Sequence, residues 1–110
     1  WLDRELLLEK IERAAANLLD EKHIVERVVL FGSLAENRAT AFSDADLLII
    51  VDNSEKRFID RADEFRPYFK GMDVDVDLFV YTPGELAETP FAEMLDRQDR
   101  CIVYEQGPRE

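Results

Sequence analysis

Two apolar segments, separated by a short polar stretch, set the limits on how this 110-residue chain can fold. The first segment, residues 25–31, is rich in β-branched residues and leads into Gly32-Ser33; the second runs from Asp44 to Val51. A parallel crossover takes a dozen or more residues, but only ten separate Ser33 from Asp44. The spacing therefore predicts antiparallel neighbouring strands, with the Gly-Ser pair and Asp44 at one end of a sheet.

Helical and extended patterns alternate around this pair of segments. The predicted helices cover residues 2–22 and about 55–65, and residues 33–37 are predicted to form one or two helical turns. A further helix begins at Pro83 and is interrupted at Thr89-Pro90. The predicted strands cover residues 25–31, 44–51, 74–81 and 101–104. This order predicts one α/β (α+β) domain over residues 1–110, in which helices pack against a small mixed β-sheet.

Charge and composition narrow the classes of function. The net charge of -11 repels a phosphate backbone, so we expect no direct grip on nucleic acid. No segment approaches the roughly 20 apolar residues that a membrane span needs, and none reads as a secretory signal. Cys101 is the only cysteine, which excludes an intramolecular disulfide and fits a reducing cytoplasm. We therefore expect a cytoplasmic protein with no membrane partner.

Asp44 and Asp46 lie at the start of the second apolar segment. On a strand they point to the same face about 7 Å apart, and two ionised carboxylates there repel each other unless a cation lies between them. Carboxylate oxygens favour Mg²⁺ or Mn²⁺. The plainer alternative is a solvated acidic edge. The apolar run 47–50 argues against that alternative, because it is typical of a strand buried on both faces.

Gly32 and Ser33 form the second candidate element. Glycine lets a phosphate approach the backbone closely, the serine hydroxyl can donate to it, and backbone amides at a helix start favour an anion. The alternative is a simple turn. The chain contains neither a Walker A loop nor a GxGxxG motif. Together with the two aspartates, Gly32 and Ser33 predict a binding site for a metal-bound nucleoside triphosphate.

A third group of carboxylates, Asp73, Asp75 and Asp77, alternates with valines, so on a strand all three would face one way. A carboxylate from a neighbouring strand could complete a two-metal site and help to activate an attacking hydroxyl. The alternative is an exposed acidic face on an edge strand.

These residues match a known family. The segment GSLAENRATAFSDADL resembles the Gly-Ser, ten residues, Asp-x-Asp motif of the DNA polymerase beta-like nucleotidyltransferase superfamily. The short chain is similar to its minimal nucleotidyltransferase (MNT) branch. The segment VDLFVYTPGEL resembles the strand that carries the third aspartate in that branch, together with the turn after it. The segment CIVYE resembles the segment that usually ends such domains. The resemblance covers most of the chain from Val28 onward and implies the nucleotidyltransferase fold.

The resemblance also implies roles for individual residues. Gly32 and Ser33 match the residues that hold the triphosphate in the family. Asp44 and Asp46 match its two metal ligands. Asp77 best matches the third carboxylate, which helps to deprotonate the acceptor. Asp75 is the rival of Asp77 for the third carboxylate if the register of the strand slips by two residues.

Two positions depart from the family pattern. Glu36 and Asn37 stand where the family commonly has a basic residue and a glycine. Asparagine tolerates a left-handed backbone, so we expect the turn to survive. Glu36 removes a positive charge near the phosphates, and the candidates to replace it are the arginines at positions 27 and 38.

The resemblance implies an enzyme that uses Mg²⁺ (or Mn²⁺) and ATP or another nucleoside triphosphate, and that transfers a nucleoside monophosphate to an acceptor hydroxyl. Members of the minimal branch are often antitoxins paired with a HEPN-type toxin. The expected partners are therefore such a toxin or a second copy of this chain. The alternative is a non-catalytic antitoxin, a binding module that neutralises its partner by contact alone.

Overall fold

The computed structural model describes residues 3–38, 44–52, 58–97 and 99–105. In chain order, the elements are helix α1 (Arg4–Glu21), strands β1 (Val25–Phe31) and β2 (Ala45–Val51), helix α2 (Phe58–Phe65), a 3-10 helix (Arg66–Phe69), strand β3 (Val76–Tyr81), helices α3 (Pro83–Leu86) and α4 (Phe91–Leu95), and strand β4 (Cys101–Glu105). The predicted mixture of helices and strands is confirmed.

The four strands form one sheet in the order β3-β2-β1-β4. Strand β1 is antiparallel to both of its neighbours, as the short connection predicts for β2, whereas β2 and β3 are parallel. The end of β1 therefore lies beside the starts of β2 and β4, and the start of β3 is at the same end of the sheet. Every polar residue that precedes or begins one of those strands is brought to this end of the sheet.

Helix α1 packs on one face of the sheet because its apolar residues form a single stripe. Leu7, Ile11 and Leu18 of that stripe are fully buried against Val28 and Leu30 of β1. The helix begins where the Asp3 side chain accepts a hydrogen bond from the backbone N–H of residue 6. This face holds the larger of the two apolar cores.

The central strands are buried on both faces. All four residues of the apolar run 47–50 are completely buried, as its continuous apolar pattern predicts. Leu48 and Ile50 point away from α1 into a second, smaller core, which Leu86 of α3 closes. Aromatic side chains at the edge of that core are only partly buried.

Helix α3 begins with the capping box that its sequence predicts. The Thr82 hydroxyl accepts a hydrogen bond from the Glu85 N–H, and the Glu85 side chain accepts one from the Thr82 N–H. Arg61 of α2, whose side chain is only 9% exposed, donates to the same Glu85 carboxylate over 2.6 Å. These bonds hold the pKa of Glu85 at about 2, first of all through the Arg61 hydrogen bond. They tie α2 to the start of α3.

The structure limits the extent of two predicted elements. The one or two helical turns predicted over 33–37 are a single turn, which Asn37 closes. The third strand begins at Val76 rather than at residue 74, so Asp73 and Asp75 precede it. Residue 2, at the start of the predicted helix 2–22, lies outside the described residues. So do residues 53–57, which include the start of the helix predicted over about 55–65. Among the helices that the structure describes, none is long and apolar enough to cross a membrane.

Candidate active site

Strand register places two of the predicted carboxylates side by side. Asp46 lies directly opposite Phe31 of β1 on one side and Asp77 of β3 on the other. Residues paired in this way share a face of the sheet, so Asp46 and Asp77 both lie on the face away from α1. Asp44 comes just before β2 and is exposed.

Asp75 does not join the row that Asp46 and Asp77 form across the two strands. It precedes β3, is exposed, and uses its backbone carbonyl to accept a hydrogen bond from the Ala45 N–H over 2.8 Å. Asp73 lies farther back and pairs with Lys10 of α1 over 3.1 Å. The three alternating aspartates therefore do not share one strand face, because only Asp77 belongs to the strand.

Gly32 lies in contact with the carboxylate of Asp46. Its φ of +78° is in the left-handed region that side chains disfavour. A Cβ atom added to it would stand 2.5 Å from Oδ2 of Asp46, well inside ordinary contact distance. The absence of a side chain is thus needed both for the backbone conformation and for the approach of the carboxylate. This contact joins the Gly-Ser pair to the aspartate pair.

The residues after Ser33 form one turn that a left-handed residue closes. The Glu36 N–H donates to the carbonyl of Gly32 over 3.1 Å, and the Arg38 N–H donates to that of Ser33 over 2.8 Å. The Asn37 N–H donates to the residue 34 carbonyl, and Asn37 has a φ of +58°. This is the Schellman closure of a helical turn. The expectation that asparagine preserves the turn without glycine is confirmed.

Burial and nearby charge act together on Asp46. Burial, the Asp77 carboxylate and the Asp44 carboxylate, in that order, raise the pKa of Asp46 above its usual value. A cation at this place would relieve the repulsion, and the donor set is entirely carboxylate oxygen, as Mg²⁺ and Mn²⁺ prefer. The chemistry of the residues therefore fits a divalent hard metal.

The three carboxylates do not form a closed metal cage. Within the described residues, no group of three or more His, Cys, Asp or Glu side chains is arranged to hold a metal ion. Magnesium commonly uses only one or two protein carboxylates and takes its other ligands from water and substrate phosphates. Asp44 and Asp46 could supply those two.

The charge of Glu36 is balanced locally. Arg38 donates to its carboxylate over 3.1 Å, although the arginine is 62% exposed. Arg27 cannot serve this purpose, because it lies near the start of β1, opposite Glu105, at the other end of the sheet. The carboxylate in the turn is thus paired by one of the two arginines that the sequence suggested.

A cluster of aromatic rings lies on the same face as Asp46 and Asp77. The ring of Phe31 lies 5.1 Å from that of Phe91 and 5.8 Å from that of Phe79, between centroids. All three rings are partly buried. They give the carboxylates an apolar, partly exposed neighbour that the sequence pattern does not reveal, since Phe91 belongs to a different element from the strands.

Arg4 is another contributor that the sequence does not reveal. Its guanidinium donates from Nε to the Leu34 carbonyl over 3.0 Å and from Nη2 to the Ala35 carbonyl over 3.3 Å. These carbonyls belong to the turn after Ser33 and lie 30 and 31 residues away in the chain. Only the packing of α1 on the sheet brings the arginine to the turn.

The comparison with protein families identifies the family of this chain. The sequence profile described as "Nucleotidyltransferase domain" matches residues 9–70, more than half of the chain. The chain belongs to this nucleotidyltransferase domain family. The predicted class of enzyme, a nucleotidyltransferase, is thereby confirmed. The matched region includes Gly32, Ser33, Asp44 and Asp46, whereas Asp77 lies beyond it.

Solved structures share the fold of this family member. A candidate nucleotidyltransferase from Sulfolobus solfataricus is 23% identical, with a TM-score of 0.65, over 79% of this chain and 77% of that one. A toxin–antitoxin structure with AMP-PNP is 21% identical, with a TM-score of 0.56, over 93% of this chain and 72% of that one. Among curated proteins, none matches the sequence significantly. These likenesses confirm the predicted nucleotidyltransferase fold.

Proposed function

We propose that this nucleotidyltransferase moves AMP from ATP to a hydroxyl group of a partner protein, with Mg²⁺ as the metal. The proposal rests on the close approach of Gly32 to Oδ2 of Asp46. This approach places the proposed phosphate-binding turn next to a proposed metal ligand. Register adds Asp77 beside Asp46 and leaves Asp75 outside the row, which favours Asp77 as the third carboxylate.

Each residue has one role in this proposal. Asp44 and Asp46 would hold the metal, with their carboxylate oxygens as ligands. Gly32 and Ser33 seat the phosphates, since the turn lies against Asp46 and leaves no side chain in the way. Asp77 accepts or directs the proton of the attacking hydroxyl. When bound, Mg²⁺ neutralises phosphate charge and lowers the pKa of the acceptor hydroxyl.

The transfer follows from this placement. The acceptor oxygen forms a bond to the α-phosphorus, and the bond from that phosphorus to the bridging oxygen breaks. Pyrophosphate leaves with the electron pair of the broken bond, and the hydroxyl proton passes to Asp77 or to water. No covalent enzyme intermediate is needed, because positioning and charge neutralisation supply the catalysis. The partly exposed rings of Phe31, Phe79 and Phe91 offer apolar surface on which the adenine can stack.

The acceptor we propose is a HEPN-type toxin. The similarity in fold to a toxin–antitoxin structure with AMP-PNP supports a nucleotide and a protein partner. The net charge of -11 suits a basic partner protein. We propose the cytoplasm as the place of action, where ATP is available and the free thiol of Cys101 stays reduced.

The test is transfer of label from α-³²P-ATP to a purified HEPN-type toxin. We expect Mg²⁺-dependent label on the toxin with the unmodified protein, and at least a hundredfold less with Asp44→Asn/Asp46→Asn. Asp77→Asn should also slow transfer strongly. Asp75→Asn is the matched control, since that carboxylate is exposed and outside the row, and it should stay within about twofold of the unmodified protein.

A non-catalytic antitoxin remains the second candidate, because Glu36 puts a carboxylate into the turn that would seat the phosphates. The same variants separate the two functions. Full neutralisation of the toxin by Asp44→Asn/Asp46→Asn, with no label transferred by the unmodified protein, would establish the binder and refute the enzyme.

A further inference from the structure

The turn after Gly32-Ser33, residues 33–38, is held between two parts of the molecule. On one side, Gly32 touches the carboxylate of Asp46. On the other, Leu34 is 1% exposed and packs into the core beneath α1. Arg4 of that helix reaches the same side of the turn and bonds to two successive carbonyls, those of residues 34 and 35. The turn is thus fixed from behind by helix α1.

The two Arg4 bonds set the orientation of the turn's peptide units. In a trans peptide the C=O and the following N–H point in opposite directions. Holding the Leu34 carbonyl toward Arg4 therefore turns the N–H of Ala35 away from the helix. The next unit is consistent with this, because its N–H, that of Glu36, points back to the Gly32 carbonyl over 3.1 Å. A planar guanidinium fixes both carbonyls at once, which a single donor cannot do.

Charge supports the same role. Glu36 lies in the turn, and Arg38 is its only ion-pair partner among the described residues. Arg4 adds a second cation behind the turn, against carbonyl oxygens that carry partial negative charge.

We propose that Arg4 is the positioning residue of the triphosphate site, which it builds by holding the turn after Gly32-Ser33 in its binding conformation. This inference rests on the proposed function, since it assumes that the turn seats the phosphates of ATP. Arg4 acts through the backbone, so its loss weakens ATP binding and leaves the Asp44/Asp46 chemistry in place.

The experiment compares Arg4→Gln, Arg4→Lys and the control Arg13→Gln in the full chain. Arg13 is an exposed arginine of the same helix, with no bond to the turn among the described residues. We measure AMP-PNP affinity with Mg²⁺, the KM for ATP, kcat and the melting temperature. Arg4→Gln should raise Kd and KM about tenfold with kcat within about twofold. Arg4→Lys should remain impaired, because it keeps the charge but loses the two-point bond. Arg13→Gln should match the unmodified protein.

Amide exchange gives a readout that needs no nucleotide. In Arg4→Gln the amides of Glu36 and Arg38, which close the turn, should exchange about tenfold faster. The amide of Val29 in β1 should be unchanged. Equal acceleration at all three positions would mean that Arg4 only stabilises the fold, and would overturn the inference.

The outcomes separate this inference from the proposed function. If the unmodified protein binds no AMP-PNP, the proposed function fails and the positioning role with it. If it binds AMP-PNP and Arg4→Gln binds equally well, the positioning role alone fails. Full recovery by Arg4→Lys would also overturn it, because charge rather than geometry would then be decisive. Should Arg4→Gln not fold, Arg4→Lys and the exchange rates of its turn amides decide the question.

Discussion

Replacing Gly32 with alanine tests the contact on which the site is built. The added Cβ would stand 2.5 Å from Oδ2 of Asp46, and ordinary contact begins at 3.4 Å. The carboxylate must therefore move by about 0.9 Å, or the turn must move instead. Misplacing a catalytic group by about 1 Å can cost about a hundredfold in rate. We expect Gly32→Ala to lower kcat/KM for ATP about a hundredfold and to weaken Mg²⁺ binding.

The same substitution also has a backbone cost, which must be measured separately. An alanine at a left-handed φ costs about 1–2 kcal/mol, equal to a fall in Tm of about 4–16 °C for a domain of this size. Asp46 can yield at the end of its short side chain, so the clash adds little to the free energy of unfolding. The prediction is a modest loss of stability combined with a large loss of transfer.

Gly71→Ala is the matched control for this experiment. Gly71 has a nearly identical φ of +80°, but a Cβ there would meet no atom within 4 Å. Both variants should therefore lose similar stability in thermal denaturation, and only Gly32→Ala should lose transfer activity. If the two variants kept equal activity, or if both lost activity in proportion to stability, the contact between Gly32 and Asp46 would not matter and the reasoning would be refuted.

Three further predictions concern stability. Asp46→Asn should raise Tm by a few degrees without Mg²⁺, because it removes a partly buried charge from beside two other carboxylates. The same variant should abolish the rise in Tm that Mg²⁺ gives. A lower Tm without metal would contradict this prediction. Since Glu85 has a pKa of about 2 against the usual 4.5, its stabilisation is present above pH 4.5 and is lost as pH falls toward 2. Its side chain is 41% exposed, so Glu85→Gln should cost only about 1 kcal/mol at pH 7 and flatten the acid limb of the stability curve, whereas the exposed Glu88→Gln should do neither. Ile11→Ala, in the fully buried stripe of α1, should cost about 2–5 kcal/mol by urea denaturation.

The sequence predicts the parts of this fold that depend on local pattern. The bounds of β1 agree with the prediction because both ends carry clear signals, a β-branched run and a glycine. The capping box at Thr82 predicts the start of α3, since all its partners lie within four residues. The length of the connection predicts the antiparallel pairing of β1 and β2, because chain geometry alone limits it.

The parts that depend on tertiary contacts could not be predicted. The third strand begins at Val76, two residues later than its alternation suggests, and Asp73 before it pairs with Lys10 of α1. The bonds from Arg4 join residues 30 and 31 positions apart, and no periodicity or motif links them. Such contacts depend on how α1 packs on the sheet, which the sequence pattern does not show.

Two costs that this chain bears lie together at one end of its sheet, and their coincidence argues for chemistry there. A left-handed glycine stands against a carboxylate, and that carboxylate, Asp46, is partly buried beside Asp77 and near Asp44. A module selected only for contact would gain stability by replacing Asp46 with asparagine, because the amide carries no charge to repel. Proteins commonly break local rules at functional sites and compensate elsewhere. Here the compensation is the fully buried run of β2, which follows directly after Asp46. The Tm of Asp46→Asn without Mg²⁺ therefore bears on function as well as on stability: a gain would show that the native carboxylate is kept at a cost to the fold.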